Sequence, residues 1–264
     1  FRRIKAGEEN IKPPRFRSRK YKRQTFYLVN QNIKHRHNEL FVARLGWVNM
    51  AEPLRFKGKI MSAVISTDGL HWYVSITVET DIEQPPRPGV AVGLDLGIKE
   101  LIVGHDENGR TFTHENPHHQ KNELRKLRRL NRELARRQQG SNGWLRTKAK
   151  LKKLHGKIKN RRLDNLHKIT TELTRNYKVI CVEDLHVAGM VKNRRLARSI
   201  SDAGWGELVR QLEYKVTLNG CVVVKVGRFF ASSQTCSECG SKNTAVKDLK
   251  IREWVCPECG AVHD

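Results

Sequence analysis

Four cysteines have the spacing of ligands for a tetrahedral metal ion. Cys236 and Cys239 form one CxxC pair, Cys256 and Cys259 form a second, and sixteen residues separate the pairs. Zinc binds four thiolates at about 2.3 Å, and the glycine after each pair permits the tight turn that such a pair must make. Two disulfides or unused thiols are the alternatives, but no secretory signal supports a disulfide. The spacing therefore predicts a structural zinc site.

Two acidic residues are candidate ligands for divalent cations. Asp95 lies in the sequence GLDLG of residues 93–97, and Glu183 ends an apolar run of strand length. Clustered carboxylates can hold two divalent ions about 3.5–4 Å apart on a phosphodiester, and Mg²⁺ suits such oxygen ligands. With the basic charge, these acids predict metal-assisted phosphoryl transfer. An Asp-x-Gly after a strand also serves phosphates in actin-like ATPases, but the sequence has no second glycine-rich phosphate loop.

The charge of the chain indicates a polyanionic partner. Lys and Arg number 51 against 27 Asp and Glu, so the net charge is +24. Residues 121–162 carry seventeen Lys or Arg and two acids, a bias that favours contact with nucleic-acid phosphates over a merely solvated helix face. We expect backbone contacts from Arg125, Arg128, Arg129 and Arg132. No run approaches the roughly 20 apolar residues of a membrane span, so no membrane partner is expected.

The first 23 residues form a second basic segment. Arg15, Arg17, Arg19 and Lys20 are interleaved with aromatic residues. This mixture suits an arm that follows a nucleic-acid backbone and stacks on bases. A solvated basic terminus is the alternative. We predict backbone contacts from these four side chains.

The elements that must position these residues fall into two patterns, and the first is a series of short strands. Strands are expected at 25–29, 40–45, 59–66 and 72–78. Asp68 and Gly69 give a hairpin signal between the last two. The proline-rich residues 83–89 cannot join a ladder, so the domain boundary is predicted there. Residues 1–88 are therefore expected to hold the basic arm and a small β-barrel-like domain.

The second pattern, over residues 89–264, alternates strands and helices. Strands are expected at 90–96, 101–104, 111–114, 177–182 and 221–226, the last two of them buried. Leucine stripes predict two basic helices separated at 140–143 and a further helix at 205–216. This alternation predicts an α/β domain. Cys181 and Cys221 lie in apolar runs and are interpreted as small core residues.

Several motifs, taken in order, resemble those of one family. They are PRFRSRK at 14–20, GLDLGIK at 93–99, VEDL at 182–185, LEYK at 212–215, ASSQTCSECG at 231–240 and CPECG at 256–260. The resemblance is to the TnpB family, the transposon-encoded OrfB-type transposases related to miniature type V CRISPR effectors. It covers nearly the whole chain.

The resemblance implies an RNA-guided DNA endonuclease with guide RNA and target DNA as partners. Its α/β fold would comprise a wedge-like β-barrel domain and an RNase H-like, RuvC-type nuclease domain with a zinc-ribbon insertion at about 231–264. Asp95 and Glu183 would be catalytic ligands of Mg²⁺ in two-metal hydrolysis of DNA. Structural Zn²⁺ would be bound by Cys236, Cys239, Cys256 and Cys259. A prokaryotic cytoplasmic, nucleoid-associated location is expected.

The family's third carboxylate bears on activity. By resemblance it is the second Asp of an Asp-Arg-Asp-x-Asn motif in which Asp264 would be the first. The chain opens on Phe1 and stops at Asp264, and both ends are expected to be cut. These 264 residues are therefore expected to cleave DNA poorly or not at all. The alternative function is a nuclease-deficient, guide-dependent nucleic-acid-binding protein.

Overall fold

The computed structural model describes residues 25–56, 58–81, 89–227, 230, 234–247, 251 and 253–263. The chain divides into two compact units, one of Phe1–Glu83 with Lys148–Lys153 and one of Gln84–Thr147 with Leu154–Asp264. The domain assignments at residues 88 and 89 stay predictions. The contacts predicted at Arg15, Arg17, Arg19 and Lys20 lie outside the described residues, as does Asp264.

The first unit contains two antiparallel sheets of three strands each. Its strands are β1 (Thr25–Val29), β2 (Ile33–Arg36), β3 (Glu39–Val42), β4 (Gly46–Asn49), β5 (Lys59–Thr67) and β6 (Trp72–Glu79). One sheet has the order β1-β5-β6 and the other β2-β3-β4. The two sheets contribute to one buried cluster, from Leu28 and Ile65 in the first to Leu40 and Val42 in the second. Closure into a barrel stays a prediction.

The β5–β6 hairpin confirms the prediction at Asp68 and Gly69. Asp68 Oδ1 accepts hydrogen bonds from the N–H groups of Leu70 (2.7 Å) and His71 (2.8 Å), and Gly69 has the positive φ of +79° that the turn requires. Strands β2 and β4 were not predicted, because each is only four residues long and buries at most one side chain. The strand predicted at 40–45 ends at Val42.

The second unit is built on a mixed sheet of five strands. These are β7 (Ala91–Asp95), β8 (Glu100–Asp106), β9 (Thr111–Glu115), β10 (Val179–Glu183) and β11 (Val222–Val226), in the order β11-β10-β7-β8-β9. Strand β10 pairs in parallel with β7 and β11, whereas β7-β8-β9 is the predicted antiparallel meander. The prediction that β11 is buried was wrong. It is an edge strand, and the side chains of Val222 and Val224 are 54% and 43% exposed.

Helices cover the sheet and extend from it. They are α1 (His119–Asn122), α2 (Leu124–Arg136), α3 (Asn142–Asn176), α4 (Val187–Met190), α5 (Ala197–Ala203) and α6 (Trp205–Asn219). A break between the basic helices is confirmed, but it lies at 137–141, because Asn142 and Gly143 already belong to α3. Ser141 caps α3, its Oγ accepting a hydrogen bond from the Trp144 N–H at 3.2 Å. Among the described residues, no helix is both long and apolar enough to cross a membrane.

The core of the second unit decides which face of the sheet carries the acids. Val92 and Leu94 of β7 and Ile180 and Val182 of β10 are buried with leucines of α3 and α6. Alternate residues of these strands therefore lie on the other, more accessible face. Cys221 is buried as predicted, but Cys181 is only half-buried because it alternates with Ile180 and Val182.

Candidate metal sites and nucleic-acid surface

The strand register brings Asp95 and Glu183 together. In the parallel β7–β10 pair, Ile180 lies opposite Val92 and Val182 opposite Leu94, so Glu183 and Asp95 are the next pair at the carboxyl ends of the strands. Neighbouring strands are about 4.8 Å apart and opposed residues share a face. The Asp95 side chain is exposed and that of Glu183 is half-buried. Two carboxylates are thus available to a divalent cation from solvent.

The turn after Asp95 is sterically constrained at Gly97. A Cβ atom there would lie 2.6 Å from the carbonyl oxygen of Glu100, whereas one at Gly93 would meet nothing closer than 3.8 Å. The Gly97 N–H also donates to the Leu101 carbonyl at 3.3 Å. Only a glycine therefore fits this turn undisturbed, and the turn fixes the backbone that follows Asp95.

The four cysteines form a compact cluster. All four sulfurs lie within 4.8 Å of one another, with 3.5 Å between the Sγ atoms of Cys236 and Cys259 and 3.6 Å between those of Cys239 and Cys256. A tetrahedron with bonds of about 2.3 Å has edges near 3.8 Å, so the cluster has the dimensions of a Zn–S₄ site. All four are free thiols, which contradicts the disulfide alternative.

The two CxxC turns have matching backbone hydrogen bonds. The N–H of Gly240 donates to the Cys236 carbonyl, and the N–H of Gly260 donates to the Cys256 carbonyl. Both glycines have positive φ, +74° and +73°. The first cysteine of each turn is buried and the second is exposed. Strands β12 (Trp254–Val255) and β13 (Val262–His263) flank the second turn as an antiparallel pair.

The environment of the thiols favours one thiolate. Burial raises the pKa of Cys236, but the N–H groups of Cys239 and Glu238 outweigh it and bring that pKa down to about 6. For Cys239, the Ser241 N–H lowers the pKa, whereas burial and the neighbouring sulfurs raise it to about 12. His263 Nε2 lies 3.1 Å from Cys236 Sγ. A cation at the centre would have to displace protons from the remaining thiols.

The basic helices present a positively charged surface that few acidic side chains neutralise. Arg125, Arg128, Arg129 and Arg132 are exposed on α2, whereas Leu127 and Leu130 are buried. The two acids of residues 121–162 already have cationic neighbours: Glu123 lies 3.8 Å from Lys157 and from Arg161, and Glu133 pairs with Arg137 at 2.6 Å. Among the described residues, none of the four predicted arginines pairs with a carboxylate. The surface is therefore strongly positive.

Comparison with known proteins finds similarity along most of the chain. A family model described as "Probable transposase" matches residues 73–194, and a model described as "Cas12f1-like, TNB domain" matches residues 205–264. A relative from Streptomyces pristinaespiralis, named "Putative RNA-guided DNA endonuclease", is 35% identical over 257 residues. InsQ of Escherichia coli K12, whose name carries the same description, is 34% identical over 257 residues. These matches confirm the predicted resemblance to the TnpB family.

The TnpB relatives are longer than this chain. The Streptomyces alignment covers 96% of the chain and 62% of the relative, and the InsQ alignment covers 90% and 63%. The cryo-EM structure of a Cas12f1-sgRNA-target DNA complex matches 77% of this chain and 44% of that chain, with a TM-score of 0.55 and 17% identity. That likeness concerns the α/β fold.

Two buried polar residues that join elements of this chain were not predicted. Asp202 of α5 accepts hydrogen bonds from the N–H groups of Gln120 (2.9 Å) and Lys121 (3.1 Å) and pairs with Arg162 at 3.3 Å. Asn116 donates to the Ile98 carbonyl at 2.8 Å. These contacts fix the start of the basic helices to α5 and to the loop after Asp95. No local spacing reveals them, because the partners are up to 82 residues apart.

Proposed function

We propose that this chain carries the nuclease unit of an RNA-guided DNA endonuclease, with an RNase H-like, RuvC-type sheet and a zinc ribbon. The observation that carries the proposal is the adjacency of Asp95 and Glu183 at the carboxyl ends of the parallel strands β7 and β10. An edge of this kind, where parallel strands end, is where ligands bind in open α/β sheets. Similarity to relatives that are named as RNA-guided DNA endonucleases supports the same activity.

The Asp95 and Glu183 carboxylates would hold Mg²⁺. Both are oxygen ligands on an accessible face, and Gly97 permits the close backbone approach of the adjoining turn, so the residues present fit a hard divalent cation. When bound, such ions supply an activated water and neutralise charge on the phosphate. The contribution of the chain is to fix the two carboxylates on adjacent strands and to leave room for a phosphodiester beside them.

The cysteine cluster would hold a structural zinc ion. Four thiolates complete a tetrahedral shell and leave no ligand position for water. The cluster would therefore stabilise residues 234–263 without contributing to hydrolysis, and catalysis would belong to the carboxylates alone.

The basic helices would supply affinity for nucleic acid. Contacts to phosphates position a protein on nucleic acid without reading its sequence, and the unpaired arginines of α2 have this character. Base pairing with a guide RNA would select the target DNA. This division assigns binding to α2 and α3 and chemistry to the β7–β10 edge.

The test of the carboxylate site is binding of Mn²⁺, followed by electron paramagnetic resonance, in the presence of zinc. Asp95→Asn and Glu183→Gln should each weaken Mn²⁺ binding by about tenfold or more, since each removes one ligand. Asp184→Asn is the matched control, because it removes a neighbouring carboxylate that strand alternation places on the opposite face. Equal weakening by all three changes, or by none, would refute the assignment. Any guide-dependent cleavage by the unaltered protein should disappear in both ligand variants.

A second candidate function is guide-dependent binding without cleavage. Among the described residues, the cysteine cluster is the only group of three or more His, Cys, Asp or Glu side chains whose ligand atoms all lie within 4.8 Å of one another, and Asp95 and Glu183 belong to no such group. A protein of this kind would bind target DNA when guide RNA is present but would not cut it with Mg²⁺. Binding and cleavage measured on the same guide and target distinguish the two functions.

A further inference from the structure

A second cationic surface follows the candidate carboxylate site along the chain. Residues 192–198, here called the cationic segment, follow α4 and enter α5, and they contain Lys192, Arg194, Arg195 and Arg198. All four side chains are exposed. The segment is separate in sequence from the basic helices and was not among the predicted contacts.

The chain between Glu183 and the cationic segment is tightly wound. Backbone hydrogen bonds run from Leu185 N–H to the Glu183 carbonyl at 3.0 Å, from Val191 to Val187 at 3.0 Å and from Lys192 to Gly189 at 3.1 Å. Residues 184–186 are not helical, so the reach of the extended chain sets the limit: nine residues at about 3.3 Å each place Lys192 within roughly 30 Å of Glu183. A strand of a few nucleotides spans that distance.

Apolar contacts hold this part of the chain against the sheet. Leu185, Val187, Met190 and Val191 pack on the core of the second unit, as does Ile98, three residues after Asp95. The apolar side chains thus face the core while the cations of the following turns remain in solvent. The segment is therefore anchored near the carboxylates by its apolar neighbours, and its charges are not needed for that anchoring.

The sequence around the cationic segment contains no acidic residue. Residues 185–201 contain no Asp or Glu, and the next acid, Asp202, is occupied by Gln120, Lys121 and Arg162. Within the described part of the chain, none of the four cationic side chains pairs with a carboxylate. Four exposed like charges within seven residues repel one another unless an anion binds them.

We propose that the cationic segment binds the phosphates of the single DNA strand that enters the β7–β10 edge, and so positions that strand for cleavage. The inference rests on the proposed nuclease function. Arginine suits this role because its planar group binds phosphate oxygens in pairs and also stacks on unpaired bases. The long basic helices, in contrast, present charge over a length suited to a duplex. Strand positioning and duplex affinity would thus belong to different surfaces.

The test compares two variants that each remove four positive charges. The segment variant is Lys192→Gln, Arg194→Gln, Arg195→Gln and Arg198→Gln. The helix variant is Arg125→Gln, Arg128→Gln, Arg129→Gln and Arg132→Gln. Affinities for a 15-nucleotide DNA strand and a 15-base-pair duplex are measured by fluorescence anisotropy over a range of KCl concentrations, and circular dichroism checks that each variant is folded.

Counterion release gives the expected slopes of log affinity against log salt, about 0.7 per phosphate contact for a single strand and 0.9 for a duplex. The segment variant should lower the single-strand slope by about 2 to 3 and the duplex slope by less than about 1. The helix variant should lower the duplex slope more than the single-strand slope. A third variant with Arg194→Lys, Arg195→Lys and Arg198→Lys keeps the charge and should retain the single-strand slope.

The outcomes separate the inference from the function on which it rests. If the unaltered protein binds duplex and single strand, and the segment variant leaves the single-strand slope unchanged, the inference fails while the proposed function stands. If the unaltered protein binds neither, both fail. Equal losses from both quadruple variants would mean that net charge alone acts, which also overturns the inference. An RNA strand of the same sequence, bound with a larger slope than DNA, would assign the segment to the guide instead.

Discussion

The two candidate metal sites of this chain are built in opposite ways. The cysteine cluster comes from two short turns within residues 236–259, and its four sulfurs lie within 4.8 Å of one another. The carboxylate pair comes from two strands 88 positions apart, Asp95 and Glu183, and only the parallel pairing of β7 with β10 makes them neighbours. One site is complete in itself, and the other depends on the whole sheet.

Because of this difference, the cysteine cluster would stabilise the fold and the carboxylate pair would serve hydrolysis. A cation held by four thiolates has no position left for water or substrate. Two carboxylates on an accessible face leave most ligand positions of a divalent cation open. The cysteine cluster, the closed site, can therefore bind its cation tightly and take no part in a reaction. The carboxylate pair, the open site, must leave ligand positions of its cation free so that a phosphate can bind. Changes at each site should consequently affect different properties.

The largest effect is expected for Cys236→Ser. Cys236 is one of the two buried thiols of the cluster, and its pKa is lowered to about 6. Its loss should reduce zinc affinity by at least about 100-fold and unfold residues 234–263, because zinc binding and local folding are coupled. Zinc content by mass spectrometry and hydrogen exchange measure the two effects. Cys181→Ser, outside the cluster, is the control. A Cys236→Ser protein with full zinc content would show that the cluster does not use all four thiols.

The pH dependence of zinc affinity is the next effect in size. The Cys236 thiol, with a pKa of about 6, is already deprotonated at pH 7, but the pKa of Cys239 is raised to about 12 and that of Cys259 is also raised, so zinc must displace at least two protons. Affinity should fall by about 100-fold per pH unit between pH 8 and 7 and more steeply below pH 6. A competition titration with a chromophoric chelator measures this dependence. Release of one proton or fewer per zinc ion bound would contradict this prediction.

A smaller effect is expected for Gly97→Ala, which probes the open site through its supporting turn. The added Cβ would lie 2.6 Å from the Glu100 carbonyl, and relief of this clash should cost about 1–3 kcal/mol of unfolding free energy. It should also weaken Mn²⁺ binding, since the turn follows Asp95 directly. Gly93→Ala on the same strand has 3.8 Å of space and should change neither property. Chemical denaturation and Mn²⁺ titration of both variants decide the comparison.

The contrast between the two sites also explains how far the sequence predicts this molecule. The cysteine site could be predicted from spacing alone because its geometry is local. The three-strand meander and strand β10 could be predicted from apolar periodicity. The exposure of β11 could not be predicted, because its valine-rich sequence suits a central strand, and only the strand order makes it an edge.

Long-range polar contacts were beyond prediction for a related reason. Asp202 is one acid in a helical segment, and nothing in its neighbourhood indicates that it binds the N–H groups of Gln120 and Lys121. The half-buried position of Cys181 likewise follows from which face of β10 meets the core. The adjacency of Asp95 and Glu183 required the register of two distant strands. Spacing predicts sites made by one turn, whereas sites made by a sheet require the fold.

The matching turns of the cysteine cluster have one further consequence. Residues 236–241 (CSECGS) and 256–261 (CPECGA) share four of six residues, the same glycine conformation and the same hydrogen bonds from the first cysteine to the last residue of each turn. Each hexapeptide thus forms one half of the cluster and has its own set of backbone hydrogen bonds. We expect a chain with the two hexapeptides exchanged still to bind one zinc ion, because each hexapeptide forms the same turn.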